Sequence, residues 1–272
     1  MENAAKTVIK AKPYVGITGL VTGLEVESII KEFKNAGYDM NTSTHTPMLG
    51  FLVSYETLTG QPTTNRRYPK IENLTSLLMG VDNAALTMIH YNSKEMSSLA
   101  RQVSSIFNRL YYADFCRAIQ FNIVWPDGNQ VILIKKKFPK MKIVLQASHE
   151  AMVDKTPKEI VDKISPYQDF VDYVLIDPSR GRGPEFDINS SLDVYNELKE
   201  RVPNLTVGFA GGFSGNNVVD RVRTTISKIQ TTDFCIDAEG GLRDKITEEY
   251  GDDTLNIEKV RNYLQAASSI LK

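Results

Sequence analysis

Short apolar segments alternate with amphipathic stretches along most of the chain. The apolar segments are nearly continuous in hydrophobic residues, which is typical of parallel strands that are covered on both faces. They predict strands at Tyr14–Thr18, Met48–Val53, Ala85–His90, Ala118–Asn122, Lys142–Gln146, Asp172–Ile176, Thr206–Ala210 and Asp233–Asp237. Between them, hydrophobic residues recur at helical spacing. That spacing predicts helices at Val26–Ala36, Met96–Leu110, Pro157–Ile164, Leu192–Arg201 and Ile257–Leu271.

The number of repeats indicates the fold class. Eight strands that alternate with helices in 272 residues are most simply one closed α/β barrel, (β/α)8, and we expect a single domain over residues 1–272. An open, doubly wound sheet is the alternative. Two connections, Ser54–Pro69 and Arg243–Asn256, are unusually long. Long loops in a compact domain are usually functional, so we expect functional residues there.

Composition narrows the function classes. Lysine and arginine number 32 against 33 acidic residues, for a net charge of −1, and a nucleic-acid binder would normally be basic. No apolar run approaches the ~18 residues that a membrane helix needs, and the first residues do not resemble a secretory signal. We therefore expect a cytoplasmic protein. The two cysteines, Cys116 and Cys235, are expected to be packed, reduced thiols.

The carboxyl ends of the strands are where an active site is expected in this fold. Asp177 ends the sixth strand, where an acid is placed to hold or lend a proton. It could instead cap a helix or pair with Arg180 or Arg182. His90 ends the third strand and His149 follows the fifth, so either could act as a base.

Paired glycines follow the last two strands. Gly211-Gly212 and Gly240-Gly241 suit a phosphate site, since the loops after these strands often bind phosphate in such barrels. Tight strand-to-helix turns are the alternative, and Glu239 would repel a phosphate. Arg67, in the long loop after the second strand, suits a carboxylate or phosphate. A pair of solvated arginines, Arg66 and Arg67, is the alternative there.

The chain contains none of the spacings that indicate a cofactor or a metal. We find no GxGxxG segment, no Walker loop, no HExxH and no lysine clearly placed for a Schiff base. The expectation is therefore a protein without cofactor or metal.

Six segments carry a family resemblance when they are taken in chain order. They are YVGITGLVTGLEV, LGFLV with NRRYP, AIQFN, VLIDPSRGRGPEFD, FAGGFSGNNV and CIDAEGGLRD. Their order and spacing are similar to those of the phosphoribosylanthranilate isomerases, the (β/α)8 barrels of tryptophan biosynthesis. The resemblance implies an Amadori-type aldose–ketose isomerisation of a phosphorylated sugar derivative that bears a carboxylate.

Roles for individual residues follow from the resemblance. Asp177 matches the general acid that opens the sugar ring, and Arg67 matches the arginine that holds the substrate carboxylate. Gln120 and Asp237 match strand positions that face the substrate. The turns with Gly211, Gly212, Gly240 and Gly241 match the backbone around the substrate phosphate.

The chain also departs from the family pattern. The family's general base is a cysteine immediately before Gly-Ile-Thr, and Val15 stands there in this sequence. Asn122 replaces a histidine, and Glu239 replaces a serine. Since valine cannot accept a proton, His90 or His149 would have to act as the base.

Three functions stay open at this point. The first is an aldose–ketose isomerase, which is an intramolecular oxidoreductase. The second is another sugar-phosphate enzyme, such as an aldolase, epimerase or lyase. The third is a ligand-binding protein that has lost the base. The expected partner is in each case a small phosphorylated molecule, with no nucleic acid and no membrane, and a homodimer is left open.

Overall fold

Eight short strands pair side by side in chain order, and the last pairs with the first. The computed structural model describes residues 10–179 and 188–272, and all eight strand pairs in it are parallel. This closed barrel confirms the predicted (β/α)8 fold and excludes the open sheet.

The strands and helices have the following bounds. The barrel strands are β1 (Tyr14–Thr18), β2 (Thr46–Ser54), β3 (Leu86–Asn92), β4 (Ala118–Phe121), β5 (Lys142–Ser148), β6 (Tyr173–Asp177), β7 (Thr206–Ala210) and β8 (Cys235–Ala238). A hairpin follows them, formed by β9 (Arg243–Lys245) and β10 (Asp253–Leu255). The helices are α1 (Gly23–Asn35), α2 (Tyr55–Leu58), α3 (Leu74–Met79), α4 (Leu99–Leu110), α5 (Gly128–Lys137), α6 (His149–Met152), α7 (Pro157–Ile164), α8 (Ile188–Arg201), α9 (Val218–Ile229) and α10 (Ile257–Ser268).

Alternation along each strand separates two cores. On β1, Val15 and Ile17 pack with the helices in the larger core, whereas Tyr14 packs in a smaller cluster inside the barrel. Successive side chains of a strand point to opposite faces, so Gly16 and Thr18 also face the barrel interior. A Cβ on Gly16 would meet Asp237 of β8 at 2.7 Å, which places both residues inside the barrel.

The structure differs from the predicted elements mainly in the connections. The predicted loop Ser54–Pro69 begins with α2, and the predicted loop Arg243–Asn256 contains the β9–β10 hairpin. Helices α3 and α5 were not predicted. Three consecutive lysines, Lys135, Lys136 and Lys137, weaken the apolar pattern of α5. It nevertheless packs because Val131 and Ile134 are buried on one face.

The state of the cysteines and the character of the helices were also predicted from the sequence. Both cysteines, Cys116 and Cys235, are buried and free, as expected. No helix in the described ranges combines the length and the apolar character that crossing a membrane requires.

Candidate active site

Polar side chains form a ring inside the carboxyl end of the barrel. Barrel interiors are usually filled by bulky branched residues, so polar groups at interior positions indicate a site. Six of the eight strands contribute one: Thr18 of β1, His90 of β3, Gln120 of β4, Gln146 of β5, Asp177 of β6 and Asp237 of β8.

Two connected cavities open from this ring. The inner cavity has a volume of about 60 Å³ and is lined by His90, Gln120 and Asp237, among others. The outer cleft has a volume of about 670 Å³ and contains His149 and Tyr250. Four residues line both spaces: Asn122, Gln146, Asp177 and Glu239. A molecule in the outer cleft can therefore extend one end into the ring.

Asp237 lies deepest of the acidic groups in this site. It is only 6% exposed, and the hydroxyl of Thr18 donates to its carboxyl oxygens at 3.0 and 3.1 Å. Burial raises the pKa of Asp237 to about 8, and the nearby charge of Glu239 acts in the same direction. Asp237 therefore carries a proton at neutral pH, as a general acid must.

Asp177 has the opposite surroundings. Its Oδ2 accepts a hydrogen bond from the Gln146 amide at 2.8 Å, and its Oδ1 accepts bonds from the Ser179 backbone at 3.2 Å and hydroxyl at 2.7 Å. Both oxygens of Asp177 are therefore occupied by donors, whereas Asp237 is buried with a single side-chain donor, Thr18. The alternative partners Arg180 and Arg182 lie outside the described residues.

His90 has a donor directed at its Nδ1. The amide nitrogen of Gln120 lies 3.2 Å from that atom and 2.9 Å from the Asn122 side-chain oxygen. Because an amide nitrogen only donates, Nδ1 is the acceptor and the proton of a neutral ring sits on Nε2. Burial lowers the pKa of His90 to about 3. The imidazole of His90 is therefore neutral, and its Nε2 is a hydrogen-bond donor. This geometry does not support the predicted role of His90 as a base.

The other two histidines lie outside the ring. His149 begins α6 and lines the outer cleft, so its role as a base remains a prediction. His45 lies at the opposite end of the barrel, with Nε2 2.9 Å from the Thr232 carbonyl.

Arg67 lies at the mouth but is already paired. Its guanidinium binds Asp253 of the hairpin at 2.5–3.1 Å and Glu239 at 2.7 Å, and it stacks over the Tyr250 ring at 4.7 Å. Arg243 holds the other side of Asp253 at 3.2 Å. This network, which we call the mouth clamp, joins the two long connections. The predicted contact between Arg67 and a substrate carboxylate would therefore compete with Glu239.

The paired glycines have conformational roles of their own. Gly211 and Gly212 adopt positive φ angles of 120° and 67°, which side chains disfavour. A Cβ on Gly241 would overlap the Phe213 carbonyl oxygen. The turns thus require glycine whatever they bind, and phosphate binding by Gly211, Gly212, Gly240 and Gly241 remains a prediction.

Val15 does not face the cavity. Its side chain is fully buried in the core between the barrel and the helices, one residue out of phase with the interior positions of β1. A thiol at this position would therefore not face the cavity. The carboxyl group nearest to β1 in the ring is Asp237, through its bond with Thr18.

Several residues of the site were not predicted from the sequence. Thr18 and Gln146 are at inward strand positions, and Tyr250 and Asp253 come from the hairpin region. Thr18 and Gln146 could have been found from the sequence, because each is a polar residue at an inward-facing position of an otherwise apolar strand. Among the described residues, no group of three or more His, Cys, Asp or Glu side chains could hold a metal ion.

Comparison with solved structures agrees with the fold. Phosphoribosyl anthranilate isomerase from Thermus thermophilus superposes with a TM-score of 0.59 at 12% identity, over 94% of this chain and 99% of that one. TrpF from Jonesia denitrificans gives 0.57 at 16% identity, over 96% and 100%. The tryptophan synthase alpha subunit from Legionella pneumophila gives 0.60 at 9% identity, over 95% and 92%. Identities this low establish a shared barrel only. No protein-family model and no curated protein matches the sequence.

Proposed function

We propose that this protein is an aldose–ketose isomerase that acts on a small phosphorylated sugar derivative by acid–base catalysis. The observation that carries the proposal is the pair Asp177 and Asp237, which line one cavity in opposite environments. Two carboxyl groups that share one cavity but differ in burial and in hydrogen-bond partners are a common basis for assigning an acid and a base.

An aldose–ketose isomerisation needs one group that takes a proton from carbon and one that gives a proton to oxygen. Asp237, buried and protonated at neutral pH, is the donor to the sugar oxygen. Asp177, whose oxygens accept hydrogen bonds from Gln146 and Ser179, takes the proton from carbon. The resemblance assigns the acid to Asp177. The proposal reverses this assignment, and with it no thiolate is required on β1.

The phosphate would lie on the side of the β7 and β8 turns. A wide cavity there, of about 820 Å³, is lined by Gly212, Gly240 and Gly241 and also by Lys245 and Lys259. Helix α9 begins immediately after this turn, and the positive end of a helix dipole attracts anions. This cavity is lined by four cationic side chains, Arg67, Arg243, Lys245 and Lys259, against three acidic ones, Glu248, Glu249 and Asp253. The outer cleft has three acidic side chains and no lysine or arginine among its described lining residues, so the charge balance supports the phosphate on the side of the turns.

One alternative enzyme class has less support. A Schiff-base aldolase needs a lysine at the reacting carbon, and no lysine lines the inner cavity or the outer cleft among the described residues.

The test is turnover of phosphoribosylanthranilate and of a panel of aldose phosphates. Asp177→Asn and Asp237→Asn should each lower kcat by about 10²–10⁴ with little change in KM. Asp169→Asn is the control, because Asp169 is exposed and precedes β6 at the opposite end of the barrel. Turnover that survives both substitutions would refute the assignment. Binding without turnover in the wild type would favour the ligand-binding function instead.

A further inference from the structure

Two buried polar atoms of residues that line the inner cavity have no partner among the described residues. His90 Nε2 and Gln120 Oε1 make no hydrogen bond to the part of the chain that the structure describes, and both side chains are only 2% exposed. A buried polar group without a partner costs about 1–3 kcal/mol. Two such atoms that line the same small cavity are therefore better explained by a ligand than by chance.

The two atoms have complementary roles. Gln120 donates through its amide nitrogen to His90 Nδ1, so Nε2 of the neutral ring carries a proton and is a donor. Gln120 Oε1 belongs to the same amide and is an acceptor. A hydroxyl group can accept from the first and donate to the second at the same time. A carbonyl oxygen can accept from His90 Nε2 but cannot donate to Gln120 Oε1. An ionised carboxylate or phosphate likewise has no proton to donate to Gln120 Oε1.

Volume and charge restrict the ligand further. About 60 Å³ is roughly the liquid volume of two water molecules, which is enough for a hydroxymethylene group. Asp177 and Glu239 also line the space, and the charge of Arg67 is already compensated by Glu239 and Asp253. An anionic group in this cavity would lie beside the Asp177 carboxylate without a free cation among the described lining residues.

We infer that the inner cavity is a hydroxyl-recognition subsite, in which His90 Nε2–H donates to one uncharged sugar hydroxyl and Gln120 Oε1 accepts from it. The subsite fixes the direction of the substrate, with the hydroxylated end in the ring and the phosphate outside it. His90 is thus a neutral hydrogen-bond donor and not a base. This inference rests on the proposed function only in taking the substrate to be a sugar.

The first test uses the wild-type protein with ¹⁵N-labelled histidine. The spectrum without ligand should show His90 as a neutral ring with its proton on Nε2, and the His90→Gln variant assigns the signal. D-ribose and D-ribose 5-phosphate should both shift the Nε2–H resonance, whereas inorganic phosphate should not. A proton on Nδ1, a shift with inorganic phosphate, or no shift with either sugar would overturn the inference.

The second test compares variants in binding titrations with D-ribose 5-phosphate. Gln120→Leu removes the acceptor and should weaken binding by about tenfold, the value of one hydrogen bond to a buried partner. Gln168→Leu is the matched control, since Gln168 is exposed in the segment that precedes β6 and lines neither cavity. Equal weakening in both variants would overturn the subsite. Binding that shifts His90 in a protein without turnover would leave the subsite intact and refute the isomerase.

Discussion

Asp237 should make the protein less stable as the pH rises through neutrality. The folded state holds a proton on Asp237 up to about pH 8, whereas an unfolded aspartate releases it near pH 3.9. Between these values the folded state binds more protons than the unfolded state at this group. The contribution of Asp237 to the free energy of unfolding is therefore fully present at low pH and falls as the pH rises.

The size of this effect follows from the raised pKa. Each pH unit in this window changes the contribution by about 1.4 kcal/mol. Asp237→Asn keeps a neutral side chain of the same shape whose oxygen can still accept from Thr18, and it does not ionise. The difference in free energy of unfolding, variant minus wild type, should therefore rise by about 3 kcal/mol between about pH 5 and about pH 7. Above about pH 8 the difference should become constant.

The measurement is urea unfolding of both proteins at a series of pH values. The comparison across pH removes any constant cost of the amide, because that cost does not depend on protonation. Asp169→Asn, at an exposed position, controls for the general effect of removing one carboxylate. Parallel stability curves for the wild type and Asp237→Asn from about pH 5 to about pH 8 would show that Asp237 is ionised, and the assignment of the acid would then fail.

Three further predictions concern the mouth clamp, β1 and the β8 turn. Glu239→Gln leaves the Arg67–Asp253 pair in place but frees one edge of the guanidinium, so anthranilate should bind about tenfold more tightly in a fluorescence titration; unchanged binding would show that Arg67 does not reach the ligand. The thiol of Val15→Cys should react with a disulfide reagent only after unfolding, because position 15 is fully buried, and it should leave isomerase activity unchanged. A gain in activity would place position 15 in the cavity. Gly241→Ala should lower the free energy of unfolding by about 1–3 kcal/mol because the new methyl group meets the Phe213 carbonyl, while Gly23→Ala, which meets nothing within 4 Å, should cause no loss.

The sequence predicts the barrel well because the information is repeated. Each apolar segment, such as Thr206–Ala210, indicates a covered parallel strand on its own, and eight of them leave few ways to close a sheet. Helix α5 escapes prediction because Lys135–Lys137 dilute its apolar face. The start of β2 at Thr46 was not predicted, because Pro47 has no backbone N–H and argues against a strand at that position.

The candidate site is predictable only in part, for two physical reasons. Asp177 and Asp237 are found because strand ends converge in a barrel. The burial of Asp237 and the hydrogen bond of Asp177 to Gln146 depend on neighbours that lie far apart in sequence. Arg67 is recognised as a candidate anion ligand, yet its pairing with Asp253 joins residues 186 positions apart. Nothing local in either segment indicates that the charge is already compensated.

The reading of β1 shows why a motif can match while its chemistry does not. Only Thr18, at the end of β1, distinguishes its two faces, so the sequence carries one weak signal of whether Val15 or Gly16 faces the barrel interior. A one-residue change of phase moves every side chain to the other face. In the structure, Thr18 is the position of β1 that reaches the ring, and it binds Asp237 of the neighbouring strand β8. Because Val15 faces away from the cavity, a base at position 15 could not reach a substrate there. The second carboxyl group of the site is that of Asp237 on β8, which the Thr18 hydroxyl holds in the cavity.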